Sequence, residues 1–155
     1  MYRSALDSAS KYHFFRAKIP SNQDVLFVGS LEVGNEGLSL RTEVQHLGCF
    51  VGGMVGLGAR INDSSEELRM AIQLTESCVW AYQNTATGII PEIFYVDQCP
   101  SEGSCEWTDE DATEPGHQYG FTSVADTSYQ LRPEAIESVF IMFRITGESI
   151  WQEKG

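Results

Sequence analysis

No stretch of this chain approaches the run of about 18 apolar residues that a bilayer-spanning helix needs. Its first residues, Met1-Tyr2-Arg3-Ser4-Ala5-Leu6-Asp7-Ser8, contain no apolar block of the secretory-signal type. Positive charge is also scarce. Ten Lys and Arg stand against 22 Asp and Glu, a formal net charge of −12, so no cationic track exists to neutralise nucleic-acid phosphates. The 4 cysteines include no C-x-x-C pair, which argues against a zinc or dithiol redox motif, while their even number leaves disulfides open. What is present suits one globular unit: 155 residues, 42% of them hydrophobic and 21% charged.

The chain is organised around the stretch Tyr129 to Gly147. Pro133 has no N–H to leave unsatisfied and a preset φ, so it reads as the first residue of a helix, with Gly147 as its left-handed stop. Ala135, Ile136, Val139, Phe140, Met142 and Phe143 give that helix a wide apolar stripe at three-and-four spacing. Arg132, Glu134 and Glu137 form a polar cluster at its head, the two glutamates three apart and on one face. Carboxylates are favoured there by unpaired N–H groups and by the helix dipole. On these residues alone the cluster reads equally as a capped helix start or as a site.

Upstream, Tyr2, Ala5, Leu6, Ala9, Tyr12 and His13 recur at helical spacing and predict an amphipathic helix over 2–18, ended by Pro20. Asp24 to Gly29 has strand character, and Leu31-Glu32-Val33 and Leu38-Ser39-Leu40, separated by Gly34-Asn35-Glu36-Gly37, predict a β-hairpin. From His46 to Ile61 the chain is nearly all apolar but carries five glycines, each costing a helix about 1 kcal/mol against alanine, so close packing must compensate. Ser64 and Glu67 have capping-box spacing and open another helix, with Leu68, Ala71, Ile72, Thr75, Cys78, Val79 and Tyr82 inward. Asn62-Asp63-Ser64, in the turn between these helices, has the N-glycosylation pattern, although helix capping uses the same Ser64. Ile89 to Val96 is β-rich with Glu92 in its middle. Residues 97 to 127 read as a polar, acidic, solvated loop whose order does not match a calcium-loop pattern, with Cys99 and Cys105 placed to close a small disulfide.

Three stretches, in order, resemble the class I α-1,2-mannosidases, glycoside hydrolase family 47. They are Gln45-His46-Leu47-Gly48-Cys49-Phe50 leading into Gly52-Gly53-Met54; Cys78 with Tyr82, Gly88, Pro91 and Glu92; and Leu131-Arg132-Pro133-Glu134-Ala135-Ile136-Glu137 running to Gly147. Together they cover about residues 40 to 155, and a lone R-P-E would carry little weight. The resemblance implies an all-α fold with short β-hairpins, part of an (α/α)7 barrel. The whole chain, 1–155, is then expected to be a partial catalytic domain, with the general acid, an essential aspartate and the calcium-binding threonine lying outside it. It also implies a Cys49–Cys78 disulfide; taken alone, both cysteines read as small core residues.

Hydrolysis of a glycosidic bond needs one carboxylic acid to protonate the leaving oxygen and one carboxylate to activate water or attack. Next to Arg132 and at a helix start, Glu134 is favoured as the charged carboxylate, hence the base. The resemblance implies the same role for Glu134 in an inverting reaction and places His46, Glu92, Arg132 and Glu137 on the mannose ring. A histidine beside an apolar helix, taken alone, is more often a structural hydrogen-bonding group. The resemblance further implies removal of α-1,2-linked mannose from high-mannose N-glycans on glycoproteins, calcium bound by residues outside this chain with no metal ligand inside it, and no nucleic-acid partner. It implies residence in the secretory pathway, in endoplasmic reticulum, Golgi or medium, with any membrane anchor of the parent outside this segment. A lectin-like homologue that recognises misfolded glycoproteins for degradation would share these motifs and is the alternative reading.

Overall fold

A computed structural model describes residues 1–35, 37–100, 104–108, 110–111 and 119–155. Helix α1 (Tyr2–Tyr12) leads into strands β1 (Phe14–Lys18), β2 (Leu26–Val28), β3 (Ser30–Gly34), β4 (Gly37–Arg41) and β5 (Glu43–Gln45). A 3₁₀ turn (His46–Cys49) opens directly into α2 (Phe50–Asn62), followed by α3 (Ser65–Gln83). Strands β6 (Ile93–Tyr95), β7 (Asp97–Gln98) and β8 (Ser123–Asp126) precede α4 (Glu134–Thr146) and α5 (Ile150–Lys154). The strands pair antiparallel in three small sheets, ordered β2-β1-β7, β3-β4 and β5-β6-β8.

Helix α3 is capped as its sequence requires, Ser64 Oγ accepting from the Glu67 N–H at 3.2 Å. Helix α4 begins one residue later than expected, at Glu134 with Pro133 as its N-cap, and stops at Gly147 with φ 75. The expected helix over 2–18 is shorter than its pattern suggested. It ends at Tyr12, and Phe14 to Lys18 form a strand in which Phe15 and Ala17 are buried between β2 and β7 while Arg16 faces out. Pairing with two partner strands overrode the helical periodicity there. Of the β-rich run 89–96 only Ile93 to Tyr95 pair as strand, with Ile90, Pro91 and Glu92 a buried lead-in.

Helices α2, α3 and α4 pack around Val51, Val55, Leu74, Val79, Val139 and Met142. The glycines of α2 make that approach possible. A Cβ on Gly52 would stand 3.0 Å from the Thr75 amide nitrogen and 3.2 Å from its Cα; one on Gly53 would stand 3.2 Å from the Ser138 Cα. In place of that methyl, the buried Ser138 hydroxyl accepts from the Gly53 N–H at 2.9 Å and donates to the Cys49 carbonyl at 2.6 Å. A second core lies under the strands, where Phe27, Trp80, Phe94 and Phe121 meet edge-on or tilted with ring centroids 5.1 to 6.2 Å apart.

On α4 the expected stripe divides. Ala135, Val139 and Met142 are buried, whereas Ile136 and Phe140 are exposed, because they project away from α2 and α3. Cys49 and Cys78 are disulfide-bonded with Cα atoms 5.9 Å apart, as are Cys99 and Cys105 at 5.1 Å.

Candidate functional site

The β5–β6 ladder brings two distant stretches together, with Gln45 opposite Ile93. His46 immediately follows β5 and Glu92 immediately precedes β6, and the His46 N–H donates to the Glu92 carbonyl at 2.9 Å. Arg132 reaches this junction from the loop before α4. Its Nε donates to both Glu92 carboxylate oxygens, at 2.8 and 2.9 Å, and its Nη2 lies 2.7 Å from Oε1. Such a two-nitrogen grip on a carboxylate that is only 8% exposed holds both side chains in one geometry. The residue before it, Leu131, takes a left-handed φ of 55, a conformation that costs a non-glycine residue about 1–2 kcal/mol and that turns the chain into Arg132.

Glu134 opens α4 two residues after Arg132, and its Oε2 is buried without a hydrogen-bond partner among the described residues. A buried acceptor of this kind is costly unless it is used. His46 is fully buried, and burial pushes its imidazole below the ordinary range of histidine, against the opposing pull of Glu92 and Glu134. The neutral ring is therefore the favoured form.

Two tyrosines enclose that ring. The Tyr82 hydroxyl, from the last turn of α3, lies 3.0 Å from His46 Nε2, and Tyr129 stacks on the imidazole with centroids 5.7 Å apart and planes 24° from parallel. Burial raises the Tyr82 hydroxyl well above its ordinary range, with hydrogen bonding to Tyr129 the next cause, so it stays protonated at neutral pH. Tyr82, Tyr129 and Arg132 also border a hollow of about 590 Å³.

His46, Glu92, Arg132 and Glu134 thus gather around one junction although they come from three separated stretches. Glu137 stands apart from that grouping. It is exposed on α4 and borders a different hollow, about 500 Å³, with Tyr2, Phe50, Met54 and Ile141. Tyr82 and Tyr129 as ring partners of His46 escape a sequence reading. The signals for Tyr82 are its place in the family-resembling stretch and its position a single helical turn after Cys78, whose disulfide partner lies three residues beyond His46.

Residues 1–155 match the family described as glycosyl hydrolase family 47. The chain is 36% identical over 132 residues to the probable mannosyl-oligosaccharide alpha-1,2-mannosidase 1B of Aspergillus flavus, covering 84% of this chain and 23% of that protein. It is 30% identical over 155 aligned positions to the mannosyl-oligosaccharide 1,2-alpha-mannosidase MNS3 of Arabidopsis thaliana, with the same 84% and 23% coverage. Its fold matches the solved alpha-1,2-mannosidase from Trichoderma reesei with a TM-score of 0.77 at 27% identity, over 97% of this chain and 29% of that one. Helices with short antiparallel strands here correspond to part of that (α/α)7 barrel. The chain spans about a quarter of the length of the curated relatives it matches.

Proposed function

The chain belongs to glycosyl hydrolase family 47, and from that membership we propose that it supplies the base and sugar-contact residues of an enzyme that trims terminal α-1,2-linked mannose from high-mannose N-glycans. The observation that carries the reading is the Glu134 carboxylate at the head of α4, one oxygen buried and without a hydrogen-bond partner among the described residues, beside an Arg132 already committed to Glu92. Glu134 takes a proton from water as that water attacks the anomeric carbon, which inverts the configuration. An acid about 6.5–9.5 Å away protonates the leaving oxygen. Arg132 and Glu92 hold sugar hydroxyls as a preset donor and acceptor pair, and His46 orients the main chain between them. A sugar contact for Glu137, one turn further along α4, rests on the resemblance alone, since Glu137 borders the other hollow.

Calcium is the cofactor implied by the resemblance. Among the described residues no group of three or more His, Cys, Asp or Glu side chains could hold a metal ion, so these residues do not fit a calcium site and no step is drawn through one. Two disulfides support residence in an oxidising compartment, the secretory pathway. Among the described residues no helix is long and apolar enough to cross a membrane.

Mannose release from a high-mannose N-glycan, assayed with calcium present in the protein that carries this segment within a whole barrel, tests the reading. Glu134→Gln keeps the size and one acceptor but cannot take a proton, so kcat should fall roughly 10²–10⁴-fold with KM little changed. Full turnover by that variant would reject Glu134 as the base, and binding of the glycan without any release by the unaltered protein would favour a lectin.

A further inference from the structure

The reaction proposed above leaves two tyrosines around His46 without a task. Tyr82 meets Nε2 of the buried ring at 3.0 Å, and Tyr129 stacks on its face. His46 in turn bonds through its main chain to Glu92, whose carboxylate holds Arg132. The ring and the carboxylate that holds Arg132 thus belong to residues joined by one main-chain hydrogen bond. The disulfide joins the same two elements. Cys49 lies three residues after His46 and Cys78 four residues before Tyr82, on the same face of α3, with Cα atoms 5.9 Å apart. That cross-link sets the separation of the 3₁₀ turn from α3 at which the Tyr82 hydroxyl reaches the ring.

We infer that Tyr82 is a positioning residue for this site, its hydroxyl holding the His46 imidazole in one tautomer and one orientation while Tyr129 closes the ring's face. A neutral imidazole has one donor and one acceptor nitrogen, so the direction of the Tyr82–Nε2 bond and the role left to Nδ1 are fixed together. Nδ1 is buried and has no partner among the described residues, which leaves the bond to Tyr82 as the polar anchor of the ring among them. Tyr129 is half exposed and can be changed with less cost to the fold.

The functional side of this inference rests on the mannosidase reading, whereas the tautomer does not, so the two are tested separately. In the chain labelled with ¹⁵N-histidine, the ring nitrogens of His46 should show a single dominant tautomer. Tyr82→Phe, which keeps the packed ring and deletes the hydroxyl, should shift both resonances toward the values of a tautomeric mixture. Unchanged ring nitrogens in Tyr82→Phe would overturn the inference. If that variant does not fold, Tyr129→Leu serves instead: it should retain the dominant tautomer but broaden the ring signals, and identical line widths would count against a held orientation. Titration with α-1,2-mannobiose should give a Kd roughly three- to tenfold weaker for Tyr82→Phe, the scale of one lost hydrogen bond. Failure of the unaltered segment, carried within its whole barrel, to bind mannobiose would sink the mannosidase reading while the ring nitrogens still decide the role of Tyr82.

Discussion

Helix α2 has two apolar faces that behave in opposite ways. One carries Val51, Gly52, Gly53, Val55, Gly56 and Ala59, all buried against α3 and α4. The other carries Leu47 from the preceding turn and then Phe50, Met54, Leu57 and Ile61, at spacings of three and four, and every one of them is 41% exposed or more. On α4, Ile136 and Phe140 are likewise exposed. Helices that are apolar all round belong inside a larger assembly, and only 29% of the matching Trichoderma barrel has a counterpart here. The comparison teaches that apolar periodicity marks what can be buried, whereas glycine marks what is closed. Only the face with glycines lets a neighbouring backbone come near enough for Ser138 to bond across to Gly53 and Cys49.

The inward face should be the easier one to break, and most severely at its disulfide. Replacing Cys49 and Cys78 by alanine removes a cross-link closing 29 residues of sequence separation, and unfolding in urea should show a loss of about 2–4 kcal/mol. A loss near zero would mean that packing alone holds the 3₁₀ turn to α3. Next in size is Gly52→Ala. Alanine is favoured over glycine in a helix by about 1 kcal/mol, but the new methyl would press on the backbone of Thr75, which cannot rotate away. Overpacking of this kind costs about 1–3 kcal/mol, so the net effect should be destabilising, and a stabilised variant would show that α2 and α3 can slide apart.

The same distinction explains how much was legible beforehand. Capping chemistry is local, so the Ser64 start of α3 and the Gly147 stop of α4 could be read from a few residues. Glycine-rich α2 predicted close packing because no other term offsets the propensity cost. The strand at Phe14 to Lys18 was hidden, since its pattern fits a helix until β2 and β7 are present to pair with it. At the candidate site, His46, Glu92, Arg132 and Glu134 were legible through motif resemblance. Their geometry was not, because it depends on the β5–β6 register and on the left-handed turn at Leu131, to which no glycine draws attention. The exposure of Ile136 and Phe140 was hidden for the opposite reason, a stripe wider than the neighbours available to cover it.

A smaller effect sharpens the comparison at the point where the inward face meets the site. His46 is buried at the head of α2, and burial, the largest cause, holds its folded pKa below the ordinary 6.5. The unfolded chain therefore takes up a proton first as pH falls. This contribution to stability is full above pH 6.5 and declines as pH drops through 6.5 toward the folded value. Urea midpoints measured at pH 7.5 and about 5.5 should fall on acidification, and His46→Gln should flatten that fall. An equal slope in the variant would assign the effect to other groups, such as the carboxylates.

The smallest expected effect lies on the outward face. Met54→Gln and Leu57→Gln replace side chains that are 42% and 48% exposed, so little burial is lost, and surface changes of this kind stay within about ±0.5 kcal/mol. What should change is association. A stripe from Leu47 to Ile61 offers apolar area to any other apolar surface. The double variant should sediment with less self-association and bind less of an environment-sensitive dye, at an unfolding midpoint close to the original. A loss of several kcal/mol would place Met54 and Leu57 in the core after all. The two faces of α2 would then differ in degree of packing and not in kind, and glycine would lose its value as the marker of the closed side.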